Sequence, residues 1–151
     1  MSTPPPVHVT VDDHPDPRDA SVVLDGLLAF NVAVIGDEDY RPVASFLRDD
    51  EGRVLGGLLG HLRWRWLYVA KFWLPDALRG RGHGARLLAA AEEFAWRHDC
   101  IGAYLDTFEY QALPFYRKQG YELFGTLDGY PPGYRQFFVR KLRPASAGPA
   151  A

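Results

Sequence analysis

The part of the sequence best suited to chemistry is a glycine-rich turn, Arg79-Gly80-Arg81-Gly82-His83-Gly84. It lies between an apolar run typical of a strand and a segment that predicts a helix from about Gly84. Alternate glycines let the backbone turn sharply and let a ligand approach the main chain. The first N–H groups of a helix have no partner within it and lie at the positive end of its dipole. With two arginines beside them, they predict an anion site, most naturally for phosphate.

The same turn also fits a second pattern. Gly80, Gly82 and Ala85 satisfy the G-x-G-x-x-A motif of dinucleotide-binding turns, and Asp106 ends the next predicted strand, where a ribose-binding acid is expected. A dinucleotide turn, however, follows its strand directly, whereas residues 75–78 intervene here. A nicotinamide-dependent oxidoreductase is therefore the alternative interpretation. A P-loop is excluded because no Gly-Lys-Ser/Thr follows.

The elements that must position this turn follow from hydrophobic periodicity and turn residues. Strands are predicted at residues 7–11, 42–48, 53–62, 64–74, 101–107, 121–127 and 134–142, and helices at 18–34 (one or two short ones), 84–98 and 111–119. This order indicates a mixed sheet with helices on its faces, hence an α/β or α+β fold. We predict a single domain over residues 7–142, with flexible tails at 1–6 and 143–151.

Composition narrows the possible functions. Of 151 residues, 47% are hydrophobic and 24% charged, which excludes global disorder and collagen-like structure. The formal net charge of −2 argues against non-specific nucleic-acid binding. Cys100 is the single cysteine and the histidines lack ligand spacing, so we predict no disulfide and no metal site. Since the sequence has no signal-peptide pattern and no membrane-spanning run, we expect a cytoplasmic location and no membrane partner.

Two segments, in this order, resemble the motifs of the GCN5-related N-acetyltransferase (GNAT) family. Arg79, Gly82 and Gly84 match the fixed positions of its Arg/Gln-x-x-Gly-x-Gly/Ala motif. Downstream, Ala112-Leu113-Pro114-Phe115-Tyr116-Arg117-Lys118-Gln119-Gly120-Tyr121 resembles its Ala-x-x-Phe-Tyr-x-Lys-x-Gly-Phe/Tyr segment. The resemblance covers about residues 7–142, and its N-terminal third is matched by element order only.

The resemblance implies a fold and a cofactor. The fold is GNAT-like, with a mostly antiparallel twisted sheet, helices on both faces and a splayed parallel strand pair in the centre. The cofactor is acetyl-CoA, whose pantetheine arm would pair with the main chain of Phe72, Trp73 and Leu74. The Leu74 N–H would donate to the thioester oxygen, where charge develops during the reaction. The diphosphate would be held by the turn residues Arg79, Gly80, Arg81, Gly82, His83, Gly84 and Ala85.

The resemblance also suggests catalytic residues. Tyr116 aligns with a family tyrosine near the sulfur, so it would contact the cofactor and help the thiolate to leave. The family often has asparagine where this chain has Glu109. The attacking amine must lose a proton, and Asp106 and Glu109 are candidate bases.

Further residues would face the acceptor. The acidic run Asp37, Glu38 and Asp39 would favour a cationic amine and offers further candidate bases. Asn31 and Tyr134 lie in regions that border the acceptor side in the resembling fold.

The predicted activity is transfer of an acetyl group from acetyl-CoA to a primary amine of a small molecule or peptide. The amine would attack directly in a ternary complex, so that positioning supplies most of the acceleration. A non-catalytic acyl-CoA-binding module is a further alternative. A homodimer is compatible with an edge strand and the aromatic hairpin near the C-terminus.

Overall fold

The computed structural model describes residues 1–147. The chain forms two compact units, and the second begins at Asp39. Residues 144–147 include a short 3-10 turn at Ala145–Ala147, and the rest of the predicted C-terminal tail, residues 148–151, lies outside the described residues. No helix within residues 1–147 has the length and apolar character needed to cross a membrane.

The first unit contains one helix, α1 (Pro17–Ile35). Asp16 caps its first turn by accepting a backbone hydrogen bond at 2.8 Å, and Gly36, at φ +81°, ends it. The sequence predicted one or two short helices here. The helix is continuous because an interior glycine, Gly26, costs only about 1 kcal/mol relative to alanine.

The strand predicted at residues 7–11 does not form, since this segment is neither helix nor strand. Its alternating valines satisfy the strand pattern, but a strand needs a neighbour for its backbone N–H and C=O groups. Within residues 1–147, the sheet does not include this segment. The prediction was wrong because local alternation carries no information about a pairing partner.

The second unit is built on a six-stranded sheet. Its strands are β1 (Arg41–Arg48), β2 (Val54–Arg63), β3 (Trp66–Trp73), β4 (Gly102–Phe108), β5 (Glu122–Asp128) and β6 (Arg135–Leu142), and its helices are α2 (His83–Arg97) and α3 (Leu113–Lys118). The strand order is β1-β2-β3-β4-β6-β5, and every neighbouring pair is antiparallel except β3 and β4. This confirms the predicted mixed, mostly antiparallel sheet with one central parallel pair.

The parallel pair is short. β3 and β4 are paired only where Trp66–Tyr68 face Gly102–Tyr104, and the strands separate beyond that point. On its other side, β3 shifts register against β2, leaving Ala70 as an extra residue between Val69 and Lys71. Such a bulge bends the strand that carries it. The sheet therefore opens in its centre, as the resemblance implied.

Helix α2 covers the half of the sheet formed by β1, β2 and β3. Its buried face includes Leu88, Ala91 and Ala95, each at most 1% exposed, packed in one core with the sheet residues Leu58 and Leu67. The chain reaches α2 from β3 through a 3-10 turn and the glycine-rich turn. The start of α2 is thereby placed at the end of β3, where the sheet opens.

Candidate active site

A cleft of about 770 Å³ lies between the diverging strands. Its walls are the unpaired ends of β3 and β4, the glycine-rich turn with the start of α2, and α3. Most residues predicted to contact acetyl-CoA line it: Phe72, Trp73, Leu74, Arg79, Gly80, Gly82, Gly84, Ala85 and Tyr116. Arg81 and His83 are not among the cleft-lining residues. Two motifs far apart in sequence are thus joined in one concave surface.

The glycine-rich turn depends on left-handed backbone conformations. Gly80 has φ +69° and Gly82 has φ +83°, values that side-chain-bearing residues rarely adopt. A Cβ at Gly82 would meet nothing within 4 Å, so conformation rather than contact requires glycine there. At Gly84, by contrast, a Cβ would lie 3.4 Å from the Phe115 ring, so this glycine also brings α2 close to α3.

The start of α2 is suited to an anion. The helix begins with Gly82 as its N-cap, no side chain caps it, and its first turn has no acidic residue. The N–H groups of its first turn and the positive end of its dipole are therefore available to phosphate oxygens. These features fit the diphosphate of a coenzyme A derivative.

Arg79 has a structural task in this turn. Its Nε donates to the Leu74 carbonyl oxygen at 2.8 Å, and its guanidinium forms an ion pair with Asp76 at 2.7 Å. Both contacts tie the turn back to the end of β3. Arg79 therefore helps to hold Leu74 close to the glycine-rich turn. Arg79 also lines the cleft, and its contact with a phosphate group stays a prediction.

Tyr116 lies in the wall of the cleft and is 6% exposed. Its ring packs against Phe115 and Tyr121, with centroids 5.1 and 5.9 Å away. Burial, and next the negative charge of Asp106, raises the pKa of Tyr116 to about 12. The hydroxyl is therefore protonated at neutral pH and can donate a hydrogen bond.

Asp106 lies in the same cleft at the diverging end of β4 and is half-buried. Its Oδ1 accepts a hydrogen bond from the Tyr68 hydroxyl at 3.0 Å, and its Oδ2 accepts one from Gln136 Nε2 at 2.9 Å. Burial, followed by the contact with Asp106, raises the pKa of Tyr68 to about 12, so that this hydroxyl remains a donor. A carboxylate accepts about four hydrogen bonds, so Asp106 keeps capacity for a ligand.

Tyr68 and Gln136 were missed by sequence reasoning. They are 38 and 30 residues from Asp106 along the chain and meet it only because β3 and β6 flank β4. No motif or spacing carries this information. The one available signal was strand order, which follows from the resemblance but does not specify which side chains meet.

Glu109, the other candidate base, is held by Arg135. Its Oε1 accepts from Arg135 Nη2 at 2.7 Å, and its Oε2 accepts from the Arg135 backbone N–H at 3.1 Å. The side-chain hydrogen bond from Arg135 lowers the pKa of Glu109. Glu109 does not line the cleft, although Phe108 and Tyr110 on either side of it do. Because Glu109 lies outside the cleft and both of its oxygens are already held by Arg135, Asp106 is the better placed candidate base.

The candidate acceptor residues are spread over both units. The ring of Tyr134 meets that of Tyr110 edge-on at 5.0 Å, which places Tyr134 next to a cleft-lining residue. Asp39 opens the second unit with φ +47°. Asn31 lies on α1, and Asp37 and Glu38 follow it in the first unit, so their contact with an acceptor stays a prediction.

Comparison with known proteins decides between the interpretations of the glycine-rich turn. Residues 11–121 match the sequence model of the acetyltransferase (GNAT) family. The chain belongs to the GNAT family. It is an acyltransferase that uses acetyl-CoA, and the dinucleotide interpretation of the turn is set aside.

Named relatives agree with this assignment. An acetyltransferase of Agrobacterium fabrum is 38% identical over 121 residues, which cover 80% of this chain and 88% of the relative. Blasticidin-S acetyltransferase of Streptomyces morookaense is 41% identical over 99 residues, covering 65% of this chain and 73% of that enzyme. A crystal structure from Agrobacterium tumefaciens assigned to the acetyltransferases superimposes with a TM-score of 0.85 at 35% identity, covering 91% of this chain and all of that one.

Proposed function

We propose that this GNAT enzyme transfers the acetyl group of acetyl-CoA to a primary amine of a small molecule, by direct attack of the amine while both reactants are bound. The observation that carries the proposal is the shared cleft. It combines an uncapped helix start, a protonated Tyr116 hydroxyl and the fixed carboxylate of Asp106 between two diverging strands. The helix start would bind acetyl-CoA, Asp106 would act on the acceptor amine, and Tyr116 would act on the leaving sulfur.

The glycine-rich turn and the end of β3 would hold acetyl-CoA, which supplies an acetyl group activated as a thioester. The first N–H groups of α2 bind the diphosphate. Leu74 lies at the opening of the cleft and has its carbonyl fixed by Arg79. Its N–H donates to the thioester oxygen, where a preorganised donor stabilises developing charge.

Asp106 binds and deprotonates the acceptor. A primary ammonium group is attracted to a half-buried carboxylate more strongly than it would be in bulk water. The hydrogen bonds from Tyr68 and Gln136 hold the carboxylate in one orientation. The ammonium group first loses one proton to solvent, because only the neutral amine has an electron pair that can attack the thioester carbon. As the new N–C bond forms, the nitrogen becomes strongly acidic, and Asp106 accepts a second proton from it, directly or through a water, while the C–S bond breaks and the thiolate leaves.

Tyr116 assists the leaving sulfur. Full proton transfer from a phenol whose pKa is raised to about 12 to a thiolate of ordinary basicity is unfavourable by roughly 5 kcal/mol. Tyr116 therefore acts by donating a hydrogen bond to the sulfur, and the thiolate takes its proton from solvent after it leaves. This role needs the hydroxyl but not its ionisation.

The acceptor class is suggested by a relative. The enzyme from Streptomyces morookaense is named for blasticidin S, and it is 41% identical to this chain over 99 residues. Blasticidin S is therefore the first acceptor to test, followed by polyamines, amino acids and peptide amines. The acidic cleft residue Asp106 favours the cationic members of this panel.

The test is an acceptor screen that follows acetylated product by mass and coenzyme A release by thiol detection. We expect product from at least one cationic small-molecule amine, and about a 100-fold lower kcat/KM for that amine in Asp106→Asn. Glu109→Gln is the matched control, because it removes a carboxylate outside the cleft. Failure of every amine in a protein that binds acetyl-CoA would refute the acceptor class. Equal losses in the two variants would refute the role of Asp106.

A further inference from the structure

A buried charged cluster lies behind the cleft. We call it the Glu92 cluster, and it consists of Glu92 on α2, Tyr121 after α3 and Lys141 on β6. Glu92 is 6% exposed and Tyr121 is 3% exposed. The Tyr121 hydroxyl donates to Glu92 Oε2 at 2.8 Å, and Lys141 Nζ donates to Oε1 at 2.9 Å. None of the three residues lines the cleft.

Stability alone is a weak explanation for such a cluster. Burying an ion pair costs desolvation energy, and apolar residues of similar volume often serve a core equally well. What the Glu92 cluster offers instead is a fixed geometry, since both carboxylate oxygens have a charged or hydroxyl partner. Burial and the Glu92 charge also raise the pKa of Tyr121, which keeps its hydroxyl a donor.

The Glu92 cluster joins the two halves of the sheet. Helix α2 packs on the half formed by β1, β2 and β3, whereas Lys141 belongs to β6 and Tyr121 directly precedes β5. The strand pairing between these halves is limited to Trp66–Tyr68 and Gly102–Tyr104, and the Tyr68 hydroxyl adds a hydrogen bond to Asp106. The hydrogen bonds of Glu92 form a further connection between the halves, through α2.

The Glu92 cluster is also linked to both functional ends of the cleft. Tyr121 donates its backbone N–H to the Tyr116 carbonyl oxygen at 3.0 Å, and the two rings meet edge-on. Glu92 lies nine residues after the start of α2, which is about 14 Å along the helix axis. One rigid helix thus connects Glu92 to the anion site, and one turn connects Tyr121 to Tyr116.

We propose that the Glu92 cluster positions Tyr116, by setting the distance between its hydroxyl and the end of α2 that holds the diphosphate. The inference rests on the proposed function, because the relevant distance matters only if Tyr116 meets the sulfur of a bound thioester. Glu92, Tyr121 and Lys141 are positioning residues. A displacement of about 1 Å in a reacting geometry can cost as much as 100-fold in rate.

The test is a double-mutant cycle between Tyr121→Phe and Tyr116→Phe, measured as kcat and as KM for acetyl-CoA. We expect Tyr121→Phe to lower kcat about 5- to 10-fold with KM within about twofold, since it affects alignment more than binding. In the Tyr116→Phe background, Tyr121→Phe should change kcat by less than about twofold, because the hydroxyl that it positions is absent. Glu92→Gln should behave like Tyr121→Phe in both backgrounds.

Glu93→Gln is the matched control, since it removes the same charge from the exposed neighbouring position of α2 and should leave kcat unchanged. Multiplicative effects in the cycle, or an equal loss in Glu93→Gln, would overturn the inference. If Tyr121→Phe does not fold by circular dichroism, Lys141→Gln takes its place in the same cycle. A wild-type protein that binds acetyl-CoA but acetylates no amine refutes the proposed function, whereas an active wild type with a multiplicative cycle refutes only the role of the Glu92 cluster.

Discussion

Substituting Gly82 by aspartate should strongly weaken coenzyme A binding without unfolding the protein. Gly82 is the N-cap of α2 and has φ +83°, and its Cβ would enter open space. Aspartate and asparagine adopt this left-handed conformation more readily than most residues, at a cost of about 1 kcal/mol relative to glycine. Aspartate is also a favoured N-cap, so its carboxylate would compete with the diphosphate for the same N–H groups.

The expected loss of affinity follows from Coulomb's law. Two unit negative charges about 5 Å apart repel by about 3 kcal/mol at an effective dielectric constant near 20. Since each 1.4 kcal/mol is tenfold in Kd, Gly82→Asp should weaken coenzyme A binding at least about 100-fold. Gly82→Asn has the same shape and the same backbone cost without the charge, so its loss should stay below about tenfold.

Thermal unfolding with and without coenzyme A measures both effects. At a concentration of about 100 times Kd, the ligand should stabilise the wild type by about 2.7 kcal/mol, or roughly 5–10 °C in Tm. The same concentration should shift Gly82→Asp by about 1 °C. Without ligand, both variants should melt within about 4 °C of the wild type. An undiminished ligand shift in Gly82→Asp would show that the diphosphate is bound elsewhere.

Three further predictions concern catalysis and pH. Tyr116→Phe should lower kcat about tenfold while Kd for coenzyme A, measured by calorimetry, changes less than twofold, and an unchanged kcat would remove the role of its hydroxyl. Because the pKa of Tyr116 is raised to about 12 in the fold from about 10 when unfolded, its contribution to stability is complete below pH 10 and is lost as pH rises through 12. Urea unfolding should therefore show about 2 kcal/mol less pH-dependent loss between pH 9 and 11.5 in Tyr116→Phe than in the wild type, and identical losses would contradict the raised pKa. Replacing Asp37, Glu38 and Asp39 together by their amides should raise KM for a cationic acceptor severalfold, whereas unchanged steady-state kinetics would exclude these residues from the acceptor site.

The glycine-rich turn shows why some of the site could be predicted from sequence. The need for glycine at residues 80 and 82 arises from local backbone angles, and the start of a helix is a local property as well. The central strand was equally clear, because a long run of aromatic and branched residues predicts a buried strand. These features, together with the second motif, placed ten of the 21 cleft-lining residues in advance.

Other features depend on contacts between distant residues and could not be predicted. The alternation at residues 7–11 predicted a strand, but the sheet described within residues 1–147 does not include this segment. The ion pair of Glu109 with Arg135 and the contacts of Asp106 join residues 26 to 38 positions apart. Each was decided by the order of strands in the sheet, which local propensity does not encode.

The short parallel pairing between β3 and β4 affects the local stability of the sheet. Only three residue pairs join β3 to β4 in the described sheet, so we expect local opening of the sheet to occur most readily between these two strands. If the pantetheine arm pairs with the main chain of Phe72, Trp73 and Leu74 as predicted, its amide groups would add hydrogen bonds where β3 and β4 have none between them. Binding of acetyl-CoA would then slow amide-hydrogen exchange in both halves of the sheet, and release of coenzyme A would restore the faster exchange in both.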